Sequence, residues 1–364
     1  MEKKILLIAG TRPNFIKLAP LYHTLKDQGR HKIFVCHTGQ HFDYNMSDVF
    51  WDLLKLPKPD FMLGCSGSNS AEIIGRTILE LNSVMKQHTF DLVIVFGDVN
   101  ATIAGAVVSA HQRIKLMHIE AGLRSFDRDM PEEINRVITD HVSDYLMVSE
   151  PSGLINLKAE GIAEKKIFYV GNIMIESLLR TKNEWEKIEL NNIKADKPIV
   201  LITFHRPENV DNIQNLQLII SLLKKLSNEY FIFFPVHPRT RKRLQDFKLW
   251  EDLSDIPNLT ISDPMDYFNF LKLISIAECV ITDSGGVQEE ASYLQVACVT
   301  LRKNTERPVT ITQGTNLLSS VSDANLFEAV KSHIKKIKSE EFVPIDLWDE
   351  NVSERIVKAI DNSF

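Results

Sequence analysis

Short, continuous apolar runs, each followed by a polar turn and then a helical stretch, recur along the whole chain and constrain its fold more than any other feature. The first half carries KILLIAG (4–10), KIFVCH (32–37), LVIVFGD (92–98), KLMHIE (115–120) and YLMVS (145–149). Helical patterns fall between them over residues 15–25, 71–85, 101–110 and 132–142. Because the runs do not alternate with polar residues, each strand is covered on both faces, which is the mark of a parallel sheet between helical layers. After residue 171 the pattern restarts with PIVLITF (198–204), YFIFFPV (230–236), LTIS (259–262), CVITDSGG (279–286) and VACVTL (296–301), and with helices over 213–226 and 267–277. Two Rossmann-like α/β domains, residues 1–172 and 173–364, are the simplest account. The last segment, 348–360, has helical spacing of Val352, Ile356 and Ile360, and is a candidate to pack back on the first domain.

Composition then limits the function. With 364 residues, 44% of them apolar, the chain is long enough for two cores of roughly 150 to 200 residues each. A net charge of −6 argues against nucleic acid or an anionic membrane as a partner. Cys36, Cys65, Cys279 and Cys298 form no CxxC pair and read as reduced core residues, so no metal site is signalled. The N-terminus enters a strand within four residues and no apolar run reaches eighteen; neither a signal peptide nor a membrane span is expected, and the expected compartment is the cytoplasm.

Ligands of open α/β sheets bind beyond the carboxyl ends of the strands, so the informative residues lie just past each apolar run. GTRPNFIK (10–17) places Arg12 and Lys17 beside a helix N-terminus, where a phosphate fits, although neither a dinucleotide fingerprint nor a P-loop is present. TGQH (38–41) sets Gln40 and His41 in a polar loop that suits either recognition or a turn and cap. Asp98, in GDVNAT, is either a helix cap or a base, and Glu120 closes the KLMHIE strand. MPEEINR (130–136) opens a helix with Glu132 and Arg136, which also make an ordinary i,i+4 pair. Asp98, Glu120 and Glu132 can thus converge, which would push their proton affinities apart and create acid and base roles.

In the second half, FHRPENVDN (204–212) offers His205 for acid/base work or phosphate contact. DSGGVQEE (283–290) puts Ser284, Gly285 and Gly286 at a strand-to-helix turn where bare amides can approach a diphosphate, with Glu290 one turn on for ribose hydroxyls. KNTERPVT (303–310) adds Arg307, suited to a phosphate, a carboxylate or an exposed ion pair.

In this order and spacing GTRPNFIK, TGQH, GDVNAT, HIEAGLRS, MPEEINR, FHRPEN, TDSGGVQEEA and TERPVT resemble the non-hydrolysing UDP-N-acetylglucosamine 2-epimerase family, from residue 4 to about residue 318. The resemblance implies the glycosyltransferase-B architecture, two Rossmann-like domains around a central cleft, and a homodimer. It implies interconversion of UDP-GlcNAc and UDP-ManNAc through 2-acetamidoglucal and UDP, without NAD or any other cofactor and without a metal. Asp98, Glu120 and Glu132 are then the acid/base candidates, with His205 beside the diphosphate and sugar. Arg12, Lys17 and Arg136 are the cations that bind or support the site. Ser284, Gly285 and Gly286 would hold the diphosphate, Glu290 the ribose, Phe270 and the backbone of Met265 the uracil, and Arg307 the nucleotide or sugar side. Gln40, His41 and His237 are candidates for an effector site.

The stretch SFDRDM before Pro131 is shorter than in enterobacterial members and resembles branches some of which act on UDP-2,3-diacetamido-glucuronate, whereas TERPVT favours plain GlcNAc. A hydrolysing epimerase would read more like GSRAEYG after the first strand. A glycosyltransferase of the same fold would need an acceptor, and a non-catalytic sugar-nucleotide sensor would have no use for Asp98, Glu120, Glu132 and His205 together.

Overall fold

The structure, a computed structural model, describes residues 2–39, 51–190, 193 and 196–363. The chain divides into two compact units, Met1–Arg180 with Asp346–Phe364, and Thr181–Ile345. Helix Ile173–Arg180 belongs to the first unit rather than beginning the second at residue 173. The reason is Glu176, fully buried, which accepts hydrogen bonds from the amide (2.6 Å) and hydroxyl (2.5 Å) of Ser353 in the C-terminal helix Val352–Ser363. Ile356, Val357 and Ile360 of that helix are fully buried, and each such side chain stabilises the packed state by about 1.5–3 kcal/mol.

The first unit is a seven-stranded sheet in the order β3-β2-β1-β4-β5-β6-β7. Its strands are β1 (Lys4–Ala9), β2 (Lys32–His37), β3 (Phe61–Met62), β4 (Leu92–Phe96), β5 (Lys115–Ala121), β6 (Tyr145–Val148) and β7 (Ile167–Tyr169), paired in parallel throughout. Every residue of β4 is fully buried, as a run of branched and aromatic side chains between two helical layers requires. The helices that bear on function are α1 (Arg12–Gln28), which has Pro13 in its first turn, α2 (Asn100–Gln112) and α3 (Pro131–Val142).

The second unit repeats the plan with six parallel strands, β10-β9-β8-β11-β12-β13. They are β8 (Ile199–Thr203), β9 (Phe231–Pro235), β10 (Leu259–Ser262), β11 (Cys279–Thr282), β12 (Ala297–Leu301) and β13 (Asn316–Ser319). Its relevant helices are α4 (Pro238–Asp246), α5 (Tyr267–Ile276) and α6 (Gly285–Tyr293). Both sheets follow the doubly wound order, and two such units in one chain make the glycosyltransferase-B class. The four cysteines are buried and unpaired. Among the described residues no helix is long and apolar enough to cross a membrane.

Candidate active site

In a doubly wound sheet the connections leave in opposite directions at one point, and the crevice there is where ligands bind. In the first unit that point lies between β1 and β4. Asn14 spans it: its side-chain oxygen accepts from the Gly10 amide (3.1 Å) and its nitrogen donates to the Phe96 carbonyl (3.0 Å). One turn later Lys17 forms a buried ion pair with Glu120, the two being 6% and 4% exposed. Gly97, with φ +59°, is what lets this ammonium pass, since a Cβ there would lie 2.9 Å from Lys17 Nζ and 3.8 Å from Glu120 Oε1. Glu120 itself has φ +71°, and the register between β5 and β6 shifts at this position. A bulge of this kind re-aims one side chain out of the strand's alternation.

Asp98, directly after Gly97, is paired with Arg136 of α3, and its carbonyl accepts from the Asn135 side chain (2.8 Å). Arg136 is only 2% exposed and its Nη2 also meets Glu133 at 2.7 Å. Its place is therefore beneath Asp98, as a support for that carboxylate. Burial works against ionisation of Glu133, but the Ser125 amide, the Arg136 guanidinium and the Phe126 amide outweigh it and hold the carboxyl below its ordinary value. Glu132, partly buried, lies one residue earlier in the first turn of α3.

Under these strand ends runs a fully buried polar group. His118 Nδ1 is 2.6 Å from Asp140 Oδ1, and its Nε2 is 2.7 Å from the Gly97 carbonyl oxygen. The other Asp140 oxygen accepts from the Gly122 amide at 3.0 Å and from Arg124 at 2.7 Å. Burial opposes charge on Asp140, yet His118 and then Arg124 prevail and lower its carboxyl from the usual value.

The second unit has its switch point between β8 and β11. There Asp283, fully buried, accepts from the amides of His205 (3.1 Å) and Arg206 (2.9 Å) and from the Asn209 side chain (3.1 Å), while His205 Nδ1 lies 3.0 Å away. Burial again opposes ionisation, and the imidazole and these donors more than offset it, so the Asp283 carboxyl sits below its ordinary range. His237 caps α4, its Nδ1 accepting the Arg239 amide (3.2 Å), and its ring lies 5.6 Å from that of His205. Burial, then the neighbouring His205, lowers its proton affinity. Ser284 and Gly285 form the turn into α6. A Cβ on Gly285 would stand 2.6 Å from Arg307 Nη1 and 2.9 Å from Glu306 Oε1, so any larger residue there must push these two side-chain ends aside. Arg307, 6% exposed, pairs with Glu289 (3.1 Å) and Glu306, and Glu306 also meets Arg302 at 3.0 Å. Glu290 is buried in α6, and Met265 and Phe270, both partly buried, flank the Asp266 cap of α5.

The structure thus gathers Lys17, Asp98, Glu120 and Arg136 at one switch point, with Glu132 at the start of the supporting helix. At the other it gathers His205 with His237, and Ser284, Gly285 and Gly286 with Arg307. Gln40 and His41 lie outside the described residues; Arg12 opens α1, and its side chain lies outside them too. Sequence reasoning passed over Asn14, His118, Asp140 and Asp283 as parts of the site. Only Asp283 had a local signal, the polar residue that ends a buried strand in CVITDSGG.

Comparison with known proteins adds to this geometry. The family model described as UDP-N-acetylglucosamine 2-epimerase matches residues 23–361. The UDP-N-acetylglucosamine 2-epimerase of Methanocaldococcus jannaschii is 42% identical over 92% of this chain and 93% of its own. The UDP-2,3-diacetamido-2,3-dideoxy-D-glucuronate 2-epimerase of Pseudomonas aeruginosa is 37% identical over 92% of this chain and 93% of its own. The crystal structure of the M. jannaschii UDP-GlcNAc 2-epimerase in complex with UDP-GlcNAc and UDP superposes with a TM-score of 0.90 at 38% identity, covering 99% of both chains. With a family model spanning nearly all of the sequence and relatives this similar at full length, the chain belongs to the UDP-N-acetylglucosamine 2-epimerase family.

Proposed function

We propose that this protein interconverts UDP-GlcNAc and UDP-ManNAc by inverting C2 of the sugar. The C2–H bond breaks as the C1–O bond to UDP breaks; the proton passes to a carboxylate and the bonding pair of C1–O leaves with the diphosphate. Return of the proton to the opposite face of the resulting 2-acetamidoglucal, with re-addition of UDP, completes the inversion. The sequence of steps is redox-neutral, so it calls for no nicotinamide. The observation that carries this reading is the pair of carboxylates Asp98 and Glu120 at adjacent strand ends, each beside its own buried cation, in a chain of this family.

In the reading, Asp98, Glu120 and Glu132 exchange the C2 proton, and Lys17 and Arg136 hold the first two in place. His205 meets the diphosphate and sugar. The Ser284–Gly286 turn takes the diphosphate with the Gly285 and Gly286 amides at the N-terminus of α6, the Ser284 amide being held by the Thr282 hydroxyl at 2.9 Å, a preorganised site for the charge that grows as UDP departs. Glu290 takes the ribose, Met265 and Phe270 the uracil, and Arg307 holds the turn. Arg12 would add a cation at the start of α1, and Gln40, His41 and His237 would form an effector site. The enzyme would work as a cytoplasmic homodimer, and its product would supply activated ManNAc for cell-surface polysaccharide.

Incubation with UDP-GlcNAc in D2O tests it. Loss of the C2 proton signal with growth of UDP-ManNAc is expected; an unchanged spectrum removes the reading, and free ManNAc would indicate hydrolysis. Asp98→Asn, Glu120→Gln and Glu132→Gln should abolish exchange while UDP still binds. A second substrate, UDP-2,3-diacetamido-glucuronate, is favoured by the Pseudomonas relative and by the short SFDRDM stretch, and exchange with that sugar alone would select it.

A further inference from the structure

The two nitrogens of the buried His118 ring face acceptors on opposite sides. A carbonyl oxygen only accepts, so Nε2, 2.7 Å from the Gly97 carbonyl, carries a hydrogen. Asp140 already receives the Gly122 amide and the Arg124 guanidinium on one oxygen, the arrangement of an ionised carboxylate, so Nδ1 donates to the other at 2.6 Å. A ring with both hydrogens is cationic. Charges then balance: His118 and Arg124 against Asp140 and Glu160, the last bound by Arg124 through two contacts of 2.7 Å. His118 and Asp140 are both fully buried, and a buried charged group is tolerated when every member is paired and the sum is neutral.

The contacts of this group fall on the backbone that carries the two strand-end carboxylates. Gly97 donates its amide to the Ile119 carbonyl (2.9 Å) and accepts His118 at its own carbonyl, so the peptide leading into Asp98 is held on both sides by β5. Gly122 is held by Asp140 at the far side of the bulge that turns Glu120 out of the strand. We propose that His118 and Asp140 are positioning residues for epimerisation, a doubly protonated imidazole and its carboxylate that lock the Gly97–Asp98 peptide and the Glu120 bulge into one rigid frame. The proposal rests on the reading of Asp98 and Glu120 as the proton-transfer groups, and it assigns a task to two residues that touch no substrate.

The test combines a spectroscopic and a kinetic readout on the full chain. In protein labelled with 15N-histidine, His118 should show hydrogens on both ring nitrogens at neutral pH, and one of them should be lost in Asp140→Asn. In kinetics, His118→Gln, which can still reach Gly97, and Asp140→Asn should lower kcat by about tenfold to a hundredfold, the scale of a small misplacement of reacting groups. KM for UDP-GlcNAc and the affinity for UDP should stay within about threefold, because the frame carries no contact to the nucleotide. His118→Leu, which loses both ties, should fall further; should it fail to fold, the Gln and Asn variants decide. A singly protonated His118 in the wild-type protein overturns the proposal, as does a folded His118→Gln or Asp140→Asn variant with unchanged kcat. A wild-type protein that exchanges no C2 proton with either sugar nucleotide defeats the epimerase reading instead, and the nitrogen spectrum still settles whether the frame is built as described.

Discussion

Each unit buries an aspartate against an imidazole, and the two pairs differ in how far the ring is enclosed. Asp140 and His118 are both completely enclosed, and the second ring nitrogen of His118 is tied to the Gly97 carbonyl. Asp283 is just as deeply buried, but its partner His205 keeps 36% of its side chain exposed. Asp140 takes one backbone amide, that of Gly122, and Asp283 takes two, those of His205 and Arg206, as well as the ring, so each aspartate fixes the course of a loop and the orientation of a histidine together. The difference lies in whether an edge of the ring is left accessible. An imidazole held by a carboxylate on one side and open on the other can deliver a proton or a hydrogen bond; one held on both sides can only hold things still.

The comparison breaks if the exposed ring matters less than the enclosed one. Replacing His205 with Asn should therefore cause the largest loss, about 10²- to 10⁴-fold in kcat, the range for removing a positioned acid/base group, with the protein still folded by circular dichroism. Asp283→Asn should follow at about a hundredfold, because the ring is then misoriented rather than missing, and partial recovery of rate by added imidazole in the His205→Ala background would show that the ring itself is the active part. Equal rates for wild type and His205→Asn would end the distinction between the two pairs.

Acid sharpens the comparison differently. Both aspartates have lowered folded-state values, so the stability they supply is complete above the unfolded value of about 4 and drains away as pH falls through the folded values. The thermal midpoint of the wild-type protein should drop as pH is taken from about 5 to about 3, and the drop should be shallower in Asp140→Asn and Asp283→Asn, which start less stable at neutral pH. A wild-type profile that is flat over this range would mean the carboxylates are not held ionised.

The glycines beside the two pairs make a subtler contrast. Gly97→Ala meets both a left-handed backbone and the Lys17 ammonium, so its cost should be about 2–3 kcal/mol in denaturant unfolding. Gly285→Ala meets crowding by Arg307 and Glu306 alone and should cost about 1–2 kcal/mol, appearing chiefly as weaker UDP binding in calorimetry. The smallest effect belongs to the exposed Lys158–Glu164 pair, where Lys158→Ala should leave both the midpoint and the rate unmoved.

The strands that the sequence makes plain are the doubly covered ones. KILLIAG at 4–10 and LVIVFGD at 92–98 contain β1 and β4, because a continuous apolar run has few other ways to be buried. Two edge strands were harder to see: β7 is three residues long and only partly buried, and β13 sets its two leucines between Asn316 and Ser319, whereas LTIS did mark the edge strand β10. Strand-end residues such as Asp98, Glu120 and Ser284 were legible from their place alone. Arg136 reads from the sequence both as an i,i+4 partner of Glu132 and as a cation of the site, and its pairing with Glu133 and Asp98 appears only in the structure, where the Ser125 and Phe126 amides also bind Glu133. His118 was hidden for a different reason. It lies inside an apolar strand, and Asp140, its partner, is 22 residues away on a helix, so only the packed fold brings them together.

The return of residues 346–364 to the first unit has a consequence for how the chain is made. A ribosome emits Glu176 long before Ser353, so through the synthesis of the whole second unit that carboxylate waits without the hydroxyl and amide that later receive it. The unit that starts first can close only last. Until that last helix has been made, the half-built surface of the first unit is the part of the nascent protein most open to misassembly, and a stop codon placed before Val352 would leave the second unit whole while depriving the first of this helix.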